Sequence, residues 1–279
     1  MKKIATVFVI ILIILTAIFL VGRTQKKPET SAIPEKKTDI KTELQNPAAD
    51  TVVNKILEKR PYVILRPRND GRAVNLELEN ITDMKGADYE LIYLTNGLER
   101  GVIGHFDIEK ELVKSGKIFR ELLLGSCSRN VCKYDENVEG GNLTLRYTNS
   151  DGETEEFRTD FSLQKTGNPK TEIGVEGRAV SLKLTSGSGG FIVSLASNGL
   201  PKNLTDKKIV GGPFSFFSSA GSGVGGVLNW KQNKKWDEAV SLFGWDFGGG
   251  QWEEFKYEIG EDESLQAKIT KLATFILVQ

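Results

Sequence analysis

The sequence predicts an all-β protein: two β-sandwich domains behind a single N-terminal transmembrane helix and a flexible stalk. Three observations predict it. The first is a charge-free apolar run from Ile4 to Gly22. The second is a series of short β-like runs from Arg60 onward, with turn residues about every 8–12 positions. The third is composition. The 279 residues hold 29 Gly but only 8 Pro, with 9% aromatics, and Lys+Arg and Asp+Glu balance at 37 each. That is the composition of packed domains, not of a disordered chain.

The apolar run (IATVFVIILIILTAIFLVG) has the length an α-helix needs to cross about 30 Å of hydrocarbon. It is longer than the apolar core of a cleavable signal peptide, and the small residues of a cleavage site are missing from its end. It therefore reads as an uncleaved anchor at 4–22, with residues 1–3 as a cytoplasmic tip. Lys2 and Lys3 on one side and Arg23, Lys26 and Lys27 on the other do not fix its orientation. The payload is assigned to the extracytoplasmic side from its cysteine usage and its β-rich pattern. Residues 23–58 alternate Lys and Glu, include prolines and carry few bulky apolar residues, as a stalk does. A short helix from Asp50, with Val52, Val53, Ile56 and Leu57 on one face, closes it.

The first sandwich is expected at 59–166. Its runs are 62–66, then 73–79 with Val74, Leu76 and Leu78 alternating, 88–95, 102–106, 118–124, 131–134, 143–148 and 155–163. Residues 107–114 (DIEKELVK) fit either a helical turn or an edge strand. Asn69-Asp70-Gly71, Asn96-Gly97 and the turn ending at Gly152 punctuate the series. A linker at 166–170 leads to the second sandwich at 171–279. Its runs are 179–184, 191–196, 209–210, 214–217, 227–230, 239–247, 251–259, 265–271 and 273–278, and Gly248-Gly249-Gly250 forms a hairpin turn. The decapeptides YELIYLTNGL (89–98) and FIVSLASNGL (191–200) share a strand-then-Asn-Gly-Leu form, a slight hint of duplication.

The segment 241–255 (SLFGWDFGGGQWEEF) carries a family resemblance, together with the ending around Ala267 and Phe275. An apolar strand ends in an aromatic and Trp, a Gly/Asp turn follows, and a second Trp opens the return strand. This is similar to the ZU5-like and immunoglobulin-like modules of prokaryotic surface proteins. The runs 122–134 and 143–163 resemble fibronectin-III or immunoglobulin-type domains of secreted bacterial proteins. The resemblance implies β-sandwich folds and an envelope location, in modules that are structural or binding units rather than catalysts.

Few residues offer chemistry. Balanced charge creates no field for nucleic acid. One His and two Cys supply no metal site, and no cofactor is implied. Cys127 and Cys132 frame a four-residue hairpin loop and read as a cross-strand structural disulfide, formed outside the cytosol. His105 stands without a catalytic partner pattern. Trp245 and Trp252 fit the sandwich core. Trp230 and Trp236 flank a basic segment (KQNKK), and two readings stand: a loop folded back on its own sheet, or a contact for a glycan or protein partner. Asp237, Glu238, Asp246, Glu253 and Glu254 lie close in sequence and admit an alternative, a surface glycan hydrolase using a carboxylate pair. The preferred expectation is a membrane-anchored, non-enzymatic extracytoplasmic module that binds an envelope protein or glycan.

Overall fold

The computed structural model describes residue 57 and residues 60–279, apart from 82–83, 116, 130, 150, 168–171, 175–178, 186–188, 197–198, 205–206, 222 and 232–239. The chain divides into two compact units, Met1–Asn46 and Pro47–Gln279, and the described residues belong to the second. The expected tip, anchor and stalk (Leu57 excepted) and the helix from Asp50 lie outside the described residues. Among the described residues no helix is long and apolar enough to cross a membrane.

The protein is all-β with one short described helix. In chain order the strands are β1 (Tyr62–Pro67), β2 (Ala73–Glu79), β3 (Met84–Thr95), β4 (Leu98–Asp107), β5 (Ile118–Leu123), β6 (Gly125–Ser128), β7 (Val131–Tyr134), β8 (Val138–Asn149) and β9 (Thr154–Lys165). They continue as β10 (Glu172–Gly174), β11 (Val180–Leu184), β12 (Phe191–Ala196), β13 (Ile209–Ser218), β14 (Gly226–Trp230), β15 (Ser241–Asp246), β16 (Gln251–Phe255), β17 (Glu258–Ile259), β18 (Leu265–Ile269) and β19 (Thr274–Val278). The ambiguous DIEKELVK stretch is a helix, α1 (Ile108–Ser115). Asp107 caps it, its Oδ1 accepting the Lys110 amide at 3.2 Å. Glu109 and Glu111 in the first turn and Lys114 in the last suit the helix dipole.

One nine-stranded antiparallel sheet organises the molecule, in the order β16-β15-β19-β13-β12-β9-β8-β3-β4. A three-stranded sheet (β1-β2-β5) and a five-stranded sheet (β10-β11-β14-β18-β17) pack on it, and β6 and β7 form a separate ribbon. The expected sandwiches, 59–166 and 171–279, are joined by one sheet that runs across the boundary between them. β9 from the first half hydrogen-bonds β12 from the second in continuous register, Lys165 opposite Phe191 through Phe161 opposite Leu195. The second YELIYLTNGL-like decapeptide does not repeat the first. Residues 89–98 turn directly from β3 into β4, whereas β12 reaches its next strand only at Ile209, and Leu200 is buried on the way.

The two smaller sheets cover opposite faces of the large one. Side chains alternate faces along a strand. On β12, Val193 and Leu195 join one core with Val63, Leu65, Leu76, Leu91, Leu122 and Phe161. Ile192 joins the other, with Leu182, Leu228, Trp230, Leu242, Ala267 and Phe275. On β13, Phe217 and Phe216 divide in the same way. The middle strands are therefore buried on both faces and lose the period-two signal: β19 (TFILV) is buried at every position. β3, covered on one face only, alternates along its length.

A polar pin crosses from the three-stranded sheet to the large one. The Tyr62 hydroxyl lies 2.7 Å from Thr274 Oγ1, which lies 2.7 Å from Ser215 Oγ. All three residues are fully buried, so the network must satisfy itself. Burial also pushes the Tyr62 hydroxyl pKa up, so the group stays protonated and able to donate.

Candidate functional site

Most sequence-singled residues are structural. Cys127 and Cys132 form the disulfide, with S–S 2.05 Å and Cα–Cα 4.1 Å, as directly opposed residues of the β6–β7 ribbon. The ribbon projects from the cores, since most of its side chains are exposed. His105 is exposed and bonds Asp88 through Nδ1 at 2.7 Å. Among the described residues no group of His, Cys, Asp and Glu is arranged to hold a metal ion.

The contact reading of Trp230 is corrected by its burial. The indole is 2% exposed and meets Phe214 edge-on at 5.2 Å. Its rim packs where Gly211 and Gly212 present no side chain: a Cβ on either would lie 3.1 Å from the ring. Strand β14 alternates inward at Gly226, Leu228 and Trp230, which draws the indole into the second core. Trp236 lies outside the described residues.

Trp245 and Trp252, expected as core, are instead half-buried at the edge hairpin β15–β16. They sit directly opposite each other, rings T-shaped with centroids 5.4 Å apart. The Trp252 indole N–H donates to the Lys202 carbonyl at 2.8 Å, which fixes the ring while leaving part of it in solvent. Trp252 and Phe243 pack on a small cluster of Leu200, Ile276 and Val278, joined by Leu57 and Ile209. Residues Leu57 and Ile209 also line an open groove of about 470 Å³, together with Arg60, Lys207, Lys208, Val210, Gly211 and Gly212. Lys207 ties the two features together: it lines the groove, and its Nζ sits over the Phe243 ring at 4.9 Å from the centroid. Aromatic edge and cationic groove thus form one continuous surface. Irregular β13 pairing shapes it, because the register against β19 shifts twice between Ile209 and Phe214.

The carboxylates are spent on a different arrangement. Lys271 Nζ lies 3.1 Å from Asp246 Oδ2 and 2.8 Å from Glu253 Oε2. Its hydrogen bond holds the Asp246 carboxyl below the ordinary range, whereas a general acid needs a raised one. Glu254 stands opposite Phe243 across the hairpin. Asp237 and Glu238 lie outside the described residues.

The half-buried Trp pair was the residue-level signal misread from sequence. Period two places Trp245 and Trp252 on one face, but the covering sheet lies over the other. The groove had no sequence signal, since its lining comes from residues about 150 positions apart, from Leu57 and Arg60 to Lys207–Gly212. The chain matches no family model and no curated protein sequence.

Proposed function

We propose that this chain is a non-enzymatic binding module of a cell envelope, tethered by the segment from Ile4 to Gly22, that holds an acidic glycan along its groove and aromatic edge. One observation carries the reading: Arg60, Lys207 and Lys208 line a groove continuous with the half-exposed Trp245–Trp252 pair. Indole faces stack on sugar rings, and cations beside them select sugars bearing carboxylate or phosphate. The disulfide of the exposed β6–β7 ribbon supports an oxidising, extracytoplasmic setting. The sequence resemblance to bacterial surface modules points the same way.

The test is titration of the full chain with purified acidic cell-wall polysaccharide, read by tryptophan fluorescence and calorimetry. Saturable binding that weakens with salt is expected, because exposed cations are screened. Trp252→Ala should cost binding about 2 kcal/mol. Absence of binding to acidic and neutral envelope glycans alike would sink the glycan reading. Release of reducing ends from the polysaccharide would replace it with the hydrolase alternative.

A further inference from the structure

The long sheet has a second edge, and it is unlike the other sheet edges among the described residues. β17 spans two residues, β10 three and β16 five. β1 is buried nearly throughout, and β5 lies against α1. β4 spans ten residues, has no proline, and pairs with β3 in ten consecutive registers without a bulge. It is exposed over most of its length, with Leu98 61% and Ile103 76% exposed. Proteins ordinarily blunt such an edge by shortness, bulges or proline, because it is a template for another strand.

The hairpin fixes which groups face outward. Asn96 and Gly97 make a two-residue loop with both φ positive, 49° and 76°. Such a loop closes on a hydrogen-bonded pair, here Thr95 and Leu98. Even-numbered residues of β4 therefore bond β3, and Glu99, Gly101, Ile103 and His105 turn their N–H and C=O groups to the open side. The Arg120 guanidinium marks that side, donating to the His105 carbonyl at 3.4 Å, and yields this carbonyl where an added strand pairs along the full length of β4.

We propose that β4 pairs antiparallel with β4 of a second copy of this chain, about a two-fold axis at Val102, joining two nine-stranded sheets edge to edge. Opposed residues must share a sheet face, so the axis passes through a residue. At Val102, Glu99 stands opposite His105, whose Nδ1 already holds Asp88. Ile103 stands opposite Gly101, so the most exposed large apolar side chain of the strand covers a position with none. Each contact occurs twice by symmetry. Moving the axis to Ile103 sets Glu99 against Asp107, and moving it to Gly101 sets Glu99 against Ile103. Charge and size both select Val102. A net charge of zero adds no long-range repulsion between copies. The pairing is independent of the groove.

The experiment is sedimentation equilibrium on the purified full chain in detergent, alongside two variants. The wild type should sediment as two chains. Gly101→Pro removes an outward N–H that β3 does not use, and Ile103→Glu puts charge in the apolar contact. Each should weaken self-association at least about tenfold and leave the melting curve unchanged. Val102→Cys should form an intermolecular disulfide on mild oxidation, since the axial residues form a non-hydrogen-bonded pair with Cα atoms about 4.5 Å apart. Leu98→Cys should not. A wild type that stays monomeric at about 100 μM, far above a specific dissociation constant, overturns the proposal. So does a dimer indifferent to both substitutions, or the lack of a cross-link at position 102. If Gly101→Pro fails to fold, Ile103→Glu and the cross-link decide.

Discussion

Trp230 and Trp252 show how the same residue type takes opposite roles within one half of the protein. Trp230 sits on a strand whose inward face meets the large sheet, and Gly211 and Gly212 open room for its ring. Trp252 sits on the edge hairpin, on the face that the five-stranded sheet does not cover, and its N–H is held by a backbone carbonyl. Trp230→Ala should therefore cost about 3–5 kcal/mol of stability, as removal of a large core side chain does. Chemical denaturation monitored by far-UV circular dichroism measures it. Loss under about 1 kcal/mol would contradict the packing described here. A contact site was one of two readings of the Trp230–Trp236 segment, because its two indoles flank basic residues. Strand parity, not flanking charge, decides where the indole goes.

At the scale of elements, the β6–β7 ribbon and the three- and five-stranded sheets respond differently to perturbation. The ribbon's side chains are mostly exposed, and the Cys127–Cys132 bond is what crosses it at mid-strand. Replacing both cysteines by serine frees a small loop, worth about 2 kcal/mol in the chain-entropy model. The expected outcome is local fraying: amide exchange should accelerate at Ser126–Lys133 while protection in β8 and β12 is unchanged. Uniform loss of protection across the sheet would show instead that the ribbon is integral to the cores. α1 belongs to this scale too. Its sequence, DIEKELVK, admits a strand, and the capping carboxylate of Asp107 with Glu109 and Glu111 in the first turn tips it to helix.

At the scale of the molecule, the shared sheet makes the first half depend on the second. β12 and β13 present one face to each core, so the first core, which takes Val193, Leu195 and Phe217 from the second half, is closed only when both halves are present, whereas the second is built from residues 173–277 alone. Separating the chain near Asn168 should leave residues 47–166 without β12 and residues 171–279 with β12 paired only to β13. Residues 47–166 should not melt cooperatively alone, residues 171–279 should keep a weakened transition of their own second core, and mixing them should restore a single transition. Two independent cooperative melts would re-establish separable domains.

The sequence by itself determined the all-β class, nearly every strand, the turns at Asn96-Gly97 and Gly248–Gly250, and the opposed cysteines. These rest on local rules: period-two alternation, turn chemistry, and the reach of a short hairpin loop. Tertiary structure alone decided that the strands of both halves share one sheet, since β9–β12 pairing joins residues on either side of a Gly-Asn-Pro stretch that reads as a linker. It also decided which face of each strand is covered. Local sequence marks two faces as different but does not say which other sheet lies over them. For that reason β19, buried on both faces, and the Trp245–Trp252 pair, half-open on one, were indistinguishable as apolar strand residues until the covering sheets were in place.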